Sequence, residues 1–223
     1  MRVCAIHQPT FFPWLGFFDK MRRADVFVIL DRVSYQKSGS SMSSWCNRVK
    51  LNVRGRAAWV SCPVIREHGV QVIDTVRIND ARPWRDEMRR ILRENYAAAP
   101  FFDRTYTLVD ELLQQKTGNL ADFNVHVIRA LAQQLGYRPE IVRQSELEPV
   151  AGAGTERLIA ICRAVGADVY LSGDGAGDYL EPDRFAAGGI GLQYQGFSEP
   201  PYGDAASFIP GLSVVDRLMY TAA

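Results

Sequence analysis

The sequence predicts an α/β fold: a Rossmann-like parallel sheet flanked by helices, with an inserted β-meander and a helical segment. Three observations carry this reading. The chain opens on strand, loop, helix and strand, the βαβ pattern of a parallel sheet. Its last third returns to the same alternation. Between them lie β-like runs, then three stretches of helical periodicity.

Arg2 to Ile6 reads as a short buried strand, ended by His7-Gln8-Pro9. Pro9 and Pro13 each hold the preceding residue out of the helical region, so residues 8–13 form a stiff loop. A helix follows from about Trp14 to Arg23, then a second buried strand from Asp25 to Leu30, ending at Asp31. Residues 32–47 are polar, rich in Ser and without periodicity, which predicts a mobile loop covering a ligand. Arg48–Val53, Ala58–Val64 and Val70–Ile78 are β-like, and Gly55 and Gly69 supply turns for an antiparallel meander.

Pro83 suits a first helical turn before Trp84, Met88, Ile91 and Leu92. Pro100 punctuates the next helix, Phe101 to about Gln115. Asn119 can cap a third, stopped by Gly136. Glu140–Val142 reads as a strand. Thr155 can cap a helix ending at Gly166, and Ala167–Leu171 opens a strand that runs into Ser172-Gly173-Asp174-Gly175. Ile190–Tyr194 is a further strand. Ser213-Val214-Val215-Asp216 resembles a capping box with Asp in place of Glu. The whole, 1–223, is read as a single α/β domain, with 48–80 as the meander and 83–136 mainly helical.

Composition excludes some functions. The 223 residues carry 26 basic against 25 acidic side chains, so no field of one sign marks a nucleic-acid binder. Cys4, Cys46, Cys62 and Cys162 form no C-x-x-C pair and no zinc spacing, and three sit in apolar runs, which fits unpaired thiols in a reducing compartment. The N-terminus lacks the apolar stretch of a signal peptide, and no run reaches the length of a membrane helix. The expected location is the cytoplasm.

Three constellations bear chemistry. In a parallel α/β sheet, ligands bind beyond the carboxyl ends of the strands, where His7 sits. Gln8, Pro13-Trp14 and the following helix N-terminus flank it, and Lys20 either bends back toward a shared anion or lies over the helix surface. The competing reading of His7 is a satisfied core histidine. Second, Asp31 ends the next strand at the same edge, and the loop after it brings Lys37, Trp45, Asn47 and Arg48. Third, Ser172, Gly173, Asp174 and Tyr179 belong to a strand that ends in a glycine-rich turn, where backbone can approach a ligand closely. This turn matches neither the phosphate loop nor a serine-nucleophile elbow, and Asp174 with Asp178 lacks the calcium-loop pattern. No metal site is expected. His68 and His126 lack metal-ligand spacing.

Taken together, Ile6-His7-Gln8-Pro9, Pro13 to Lys20, Ala24 to Val28, Asp31-Arg32-Val33, Asn47-Arg48, Tyr170 to Gly173, Tyr179-Leu180 and Ser213 to Asp216 resemble the WbqC-like family, in order over nearly the whole chain. That resemblance implies a cytoplasmic biosynthetic protein, an enzyme of surface-polysaccharide or natural-product assembly. It supplies neither a reaction nor a cofactor. The serine-rich Ser38–Ser44 departs from the aromatic and polar stretch usual in the family. Strand, His-Gln-Pro, helix and strand also resembles the nucleotidylyltransferase superfamily in architecture, although the second histidine of its H-x-G-H is replaced here by Pro-Trp.

The leading expectation is a transferase acting on an amino group of an activated sugar or small metabolite, by acyl or aminoacyl transfer. His7 would be general base or charge stabiliser, Lys20 and Arg48 would hold a phosphate or carboxylate, Asp31 and Asp174 would orient the amine, and Trp14 and Trp45 would wall the pocket. One rival is a nucleotidyl- or adenylyl-transferring enzyme. The other is a non-catalytic ligand-binding or scaffold subunit of a glycan assembly complex.

Overall fold

Val3–His7 (β1) lies at the centre of a five-stranded sheet because its three middle residues, Cys4, Ala5 and Ile6, are small or apolar enough to be buried on both faces. The structure is a computed structural model and describes residues 1–35, 45–177 and 180–222. Leu15–Arg22 (α1) leads to Val26–Ile29 (β2), which is buried throughout. Glu140–Arg143 (β5), Val169–Ser172 (β6) and Gly191–Tyr194 (β7) complete a sheet of order β5-β2-β1-β6-β7. Every pairing is parallel: His7 pairs with Ile29, Ala5 with Leu171, Ile29 with Arg143 and Ser172 with Tyr194. The protein therefore has the expected Rossmann-like α/β fold.

Alternation along the strands assigns the two faces. Cys4, Ile6, Val26, Val28 and Tyr170 share one core with Ile161 and Cys162 of Gly154–Ala164 (α5) and Phe185 of Pro182–Ala187 (α6). The alternate residues face α1: the Phe27 ring lies 5.0 Å from Phe17, and the His7 ring 4.9 Å from the same Phe17. The sheet is wound outward from β1 in one direction and then the other, so the order reverses between β1 and β6. Met1–Gln8, Gly16–Arg32 and Tyr137–Ser198 make up this first compact unit.

A second unit comprises Pro9–Leu15, Val33–Gly136 and Glu199–Ala223. Arg48–Val53 (β3) and Arg56–Ser61 (β4) form an antiparallel hairpin. Its turn residues Arg54 and Gly55 both have positive φ (53° and 76°), as a two-residue turn matched to strand twist requires. Trp84–Tyr96 (α2), Phe102–Leu113 (α3), Leu120–Gln134 (α4) and Val214–Tyr220 (α7) supply the helices. Asn119 caps α4, its side chain accepting from the Asp122 amide at 3.0 Å, and Gly136 stops it at φ 74°. Phe11, Phe12, Trp84 and Phe123 pack ring against ring. The buried Asn124 amide ties the proline loop down by donating to the carbonyls of Pro9 and Cys46.

The expected meander over 48–80 is corrected to a two-stranded hairpin. Val70–Ile78 is not a strand: Ile73–Thr75 forms a 3-10 turn, with isolated bridges from Val72 to Ser34 and from Ile78 to Val64. Thr75 bonds back to the Val72 carbonyl at 2.9 Å, and the distant Asn119 donates to the Asp74 carbonyl, so side chains capture backbone that a third strand would use. No helix among the described residues is long and apolar enough to cross a membrane.

Candidate functional site

The carboxyl edge of the parallel sheet collects the ends of β1, β2, β5, β6 and β7, and with them His7, Asp31, Arg143, Ser172 and Gln195. In doubly wound sheets the crevice where strand order reverses is the place for a ligand. Here that position is flanked by His7 on β1 and by Ser172-Gly173 on β6.

His7 is half-buried, and its Nδ1 lies 3.0 Å from the Gln8 carbonyl. A carbonyl oxygen can only accept, so Nδ1 carries the proton and Nε2 keeps a lone pair in the neutral ring. Burial, and then the charge of Lys20, push the imidazole down to about 3, against a smaller upward pull from the Gln8 bond. The ring is therefore neutral at physiological pH.

Lys20 is 4% exposed. The stem bends back to β1, where Nζ donates to the Ile6 carbonyl at 3.0 Å. It pairs with no carboxylate among the described residues. Burial pushes it down to about 8, with the Cys4 thiol opposing. A buried ammonium held by a single carbonyl is an uncompensated charge, and such groups are costly unless an anion joins them.

Asp31 is fully buried, and its oxygens are taken up by Arg143 Nε (2.8 Å), the Ser145 amide (2.9 Å) and Ser145 Oγ (2.7 Å). Asp31, expected to orient an amine, here braces the end of β2 to the segment after β5. Asp174 is likewise a clamp, its two oxygens accepting from the amides of Gly196 and Phe197 at 2.7 and 3.0 Å. Ser172 is fully buried, and its hydroxyl donates to the Gly173 carbonyl at 3.0 Å. A Cβ built on Gly173 would meet nothing within 4 Å.

Gln8 follows β1 in the first unit, and the remaining expected residues lie in the second unit or outside the described residues. Trp14 forms an isolated bridge with Ser213. Asn47 donates through Nδ2 to the Cys62 carbonyl at 2.9 Å. Trp45 packs edge-on to Trp59 with centroids 4.8 Å apart, and the Arg48 guanidinium lies 4.0 Å over Trp59. Lys37, Tyr179, Asp178 and most of the expected mobile loop lie outside the described residues.

Sequence reasoning missed Arg143, Ser145 and Gln195. Gln195 is buried and donates to the Gly16 carbonyl and to Asp19 Oδ2 at 2.8 and 2.9 Å, so it fixes the first turn of α1 beside the sheet edge. It missed also that Asp216 leaves the capping box to Ser213 alone. Ser213 Oγ accepts from the Val215 amide, while Asp216 accepts from the hydroxyls of Tyr96 and Tyr202 at 2.6 and 2.7 Å. Among the described residues no group of three or more His, Cys, Asp or Glu side chains is placed to hold a metal ion.

A model of the WbqC-like protein family matches residues 8–223. The chain belongs to this family. The match begins one residue after His7 and takes in α1 with Lys20, Asp31 and the whole second unit after Pro9. The chain is also similar to the uncharacterized protein Rv1507c of Mycobacterium tuberculosis, with 28% identity, over 100% of this chain and 95% of the relative. No solved structure matches.

Proposed function

We propose that this WbqC-like protein is a biosynthetic transferase that moves an acyl or aminoacyl group onto an amino group of an activated sugar or small metabolite. The observation that carries the reading is the pairing of a neutral His7, its Nε2 keeping a lone pair, and a buried Lys20 that meets no carboxylate among the described residues. Lys20 receives a phosphate or carboxylate of the substrate. The amine nitrogen attacks the acyl carbon, its proton passes to Nε2 of His7, and the leaving group departs with the electron pair of the broken bond. An anion bound at Lys20 raises the basicity of His7, because negative charge favours the imidazolium. Gly173 leaves room for close approach from the β6 side. The braces made by Asp31 and Asp174 hold the strand ends in place.

The reversal of strand order beside His7 also favours a second reading, a nucleotidyl- or adenylyl-transferring enzyme, since nucleotides bind at such positions. A thermal-shift screen separates the two. Acyl donors and amino sugars stabilise the protein under the first reading. ATP or CTP with Mg²⁺ stabilises it under the second, in proportion to the logarithm of ligand over its Kd. Stabilisation by neither set, with a tight protein partner and no turnover, contradicts both.

A further inference from the structure

We propose that the second unit carries its own small-molecule site, a cleft beside the β3–β4 hairpin that takes an anion borne on a ring. The cleft has a volume of about 640 Å³, and its walls include Trp59, Asn47, Asn79, Arg66 and Arg82, two guanidinium groups against one carboxylate, Glu87. Every one of these residues belongs to the second unit.

The ring half of the proposal rests on Trp59. Its side chain is 41% exposed, on the outer face of the hairpin, where solvent exposure of an indole is unfavourable unless something covers it. Arg48 lies over the ring at 4.0 Å, Lys50 lies at 5.2 Å, and Trp45 meets it edge-on. These contacts fix the indole as a rigid platform, and Nε of Arg48 is buried with no hydrogen-bond partner. Rigid aromatic surfaces bind flat ligand faces at low entropic cost.

The anion half rests on the guanidinium groups. Arg66 and Arg82 both line the cleft, and the Arg82 side chain is exposed without an ion-pair partner among the described residues. Guanidinium binds carboxylate or phosphate through paired N–H groups. Two amides complete the set. Asn47 spends Nδ2 on the Cys62 carbonyl, which leaves Oδ1 as an oriented acceptor. Asn79 spends Oδ1 on the Ala81 amide, which leaves Nδ2 as a donor. A uronic acid and a nucleoside monophosphate share the chemistry this arrangement recognises.

The test is calorimetric titration of wild type and of Lys20→Met with glucuronate, UMP, inorganic phosphate, and the neutral counterparts glucose and uridine. We expect at least one ring anion to bind both proteins with a Kd of about 1 mM or tighter, and phosphate and the neutral counterpart to bind about tenfold more weakly. Glucuronate or UMP, whichever binds, names the source of the anion. Arg82→Gln and Trp59→Ala each weaken that binding about tenfold, and Arg82→Gln leaves the urea midpoint unchanged, its side chain being exposed. Four results overturn the proposal: no ring anion binding below about 10 mM, phosphate alone binding equally well, indifference to both substitutions, or binding that vanishes in Lys20→Met. The last result would assign the ligand to the sheet-edge site instead.

Discussion

Nζ of Lys20 reaches back from α1 to the Ile6 carbonyl, one residue before His7, and this single bond is the only hydrogen bond it makes among the described residues. The two side chains are coupled through charge, since Lys20 lowers the basicity of His7.

His7→Ala is expected to lower turnover by roughly 100- to 10,000-fold, the usual worth of a positioned proton acceptor. The ring is half-buried and, among the described residues, hydrogen-bonds only to the neighbouring Gln8 carbonyl, so the urea midpoint should change little. Its pH signature follows from a folded value near 3, below the ordinary 6.5. The folded state binds fewer protons than the unfolded chain in that window, so the stability His7 contributes is full above 6.5 and is lost as pH falls toward 3. Histidine NMR should find His7 neutral at pH 5. A variant with lowered stability and full activity would make His7 structural.

Asp31→Ala should act on stability. It leaves Arg143 without its buried partner and Ser145 with two unmet donors, a loss of about 3 kcal/mol in urea unfolding. A stable but inactive Asp31→Ala would return Asp31 to the chemistry.

Gly173→Ala should leave stability unchanged, because φ is −73° and a Cβ finds open space there. Ligand binding at the sheet edge should weaken if a substrate approaches that backbone. Equal binding by wild type and Gly173→Ala, measured by thermal shift with the same ligand, would place the substrate away from β6.

Tyr96→Phe and Tyr202→Phe should each cost about 1–3 kcal/mol, by removing a donor to the buried Asp216 carboxylate. Burial raises Asp216 above the ordinary carboxylate range, against the two tyrosine bonds. The folded state therefore holds the proton longer, and stability falls as pH rises from the ordinary range through the raised value. In Asp216→Asn that slope should vanish. An unchanged slope would assign the pH dependence to another group.

The sheet was legible because its strands are short apolar runs bounded by turn residues, and the Asn119 cap because it depends on residues three apart. Burial of Cys4, Cys62 and Cys162 followed from their apolar neighbours, and Cys46 is a buried thiol outside any disulfide as well. Val70–Ile78 was misread because its apolar residues mix two spacings, and its polar groups settle the backbone locally. The partners of Asp31 and Asp216 were hidden for a different reason. An aspartate, at a strand end like Asp31 or in a first helical turn like Asp216, looks the same whether it waits for a ligand or clamps a partner. Asp31's partners lie 112 and 114 residues on, and Asp216 meets Tyr96 across 120. Only the tertiary fold distinguishes the two cases.

Lys20→Met, unfolded in urea with and without phosphate-bearing ligands, tests whether Lys20 is an anion site. A buried ammonium lowered from 10.5 to about 8 destabilises the ligand-free fold at every pH below 8. Removing it, against the loss of one bond to the Ile6 carbonyl, should stabilise the protein by about 2 kcal/mol at pH 7. That gain should shrink as pH climbs from 8 toward 10.5, where wild-type Lys20 sheds its proton. Stabilisation by ligands of the sheet-edge site, present in wild type, should be absent in the variant. A Lys20→Met protein that is less stable than wild type and still stabilised by the same ligands would show that Lys20 serves the fold, and the anion site would be withdrawn.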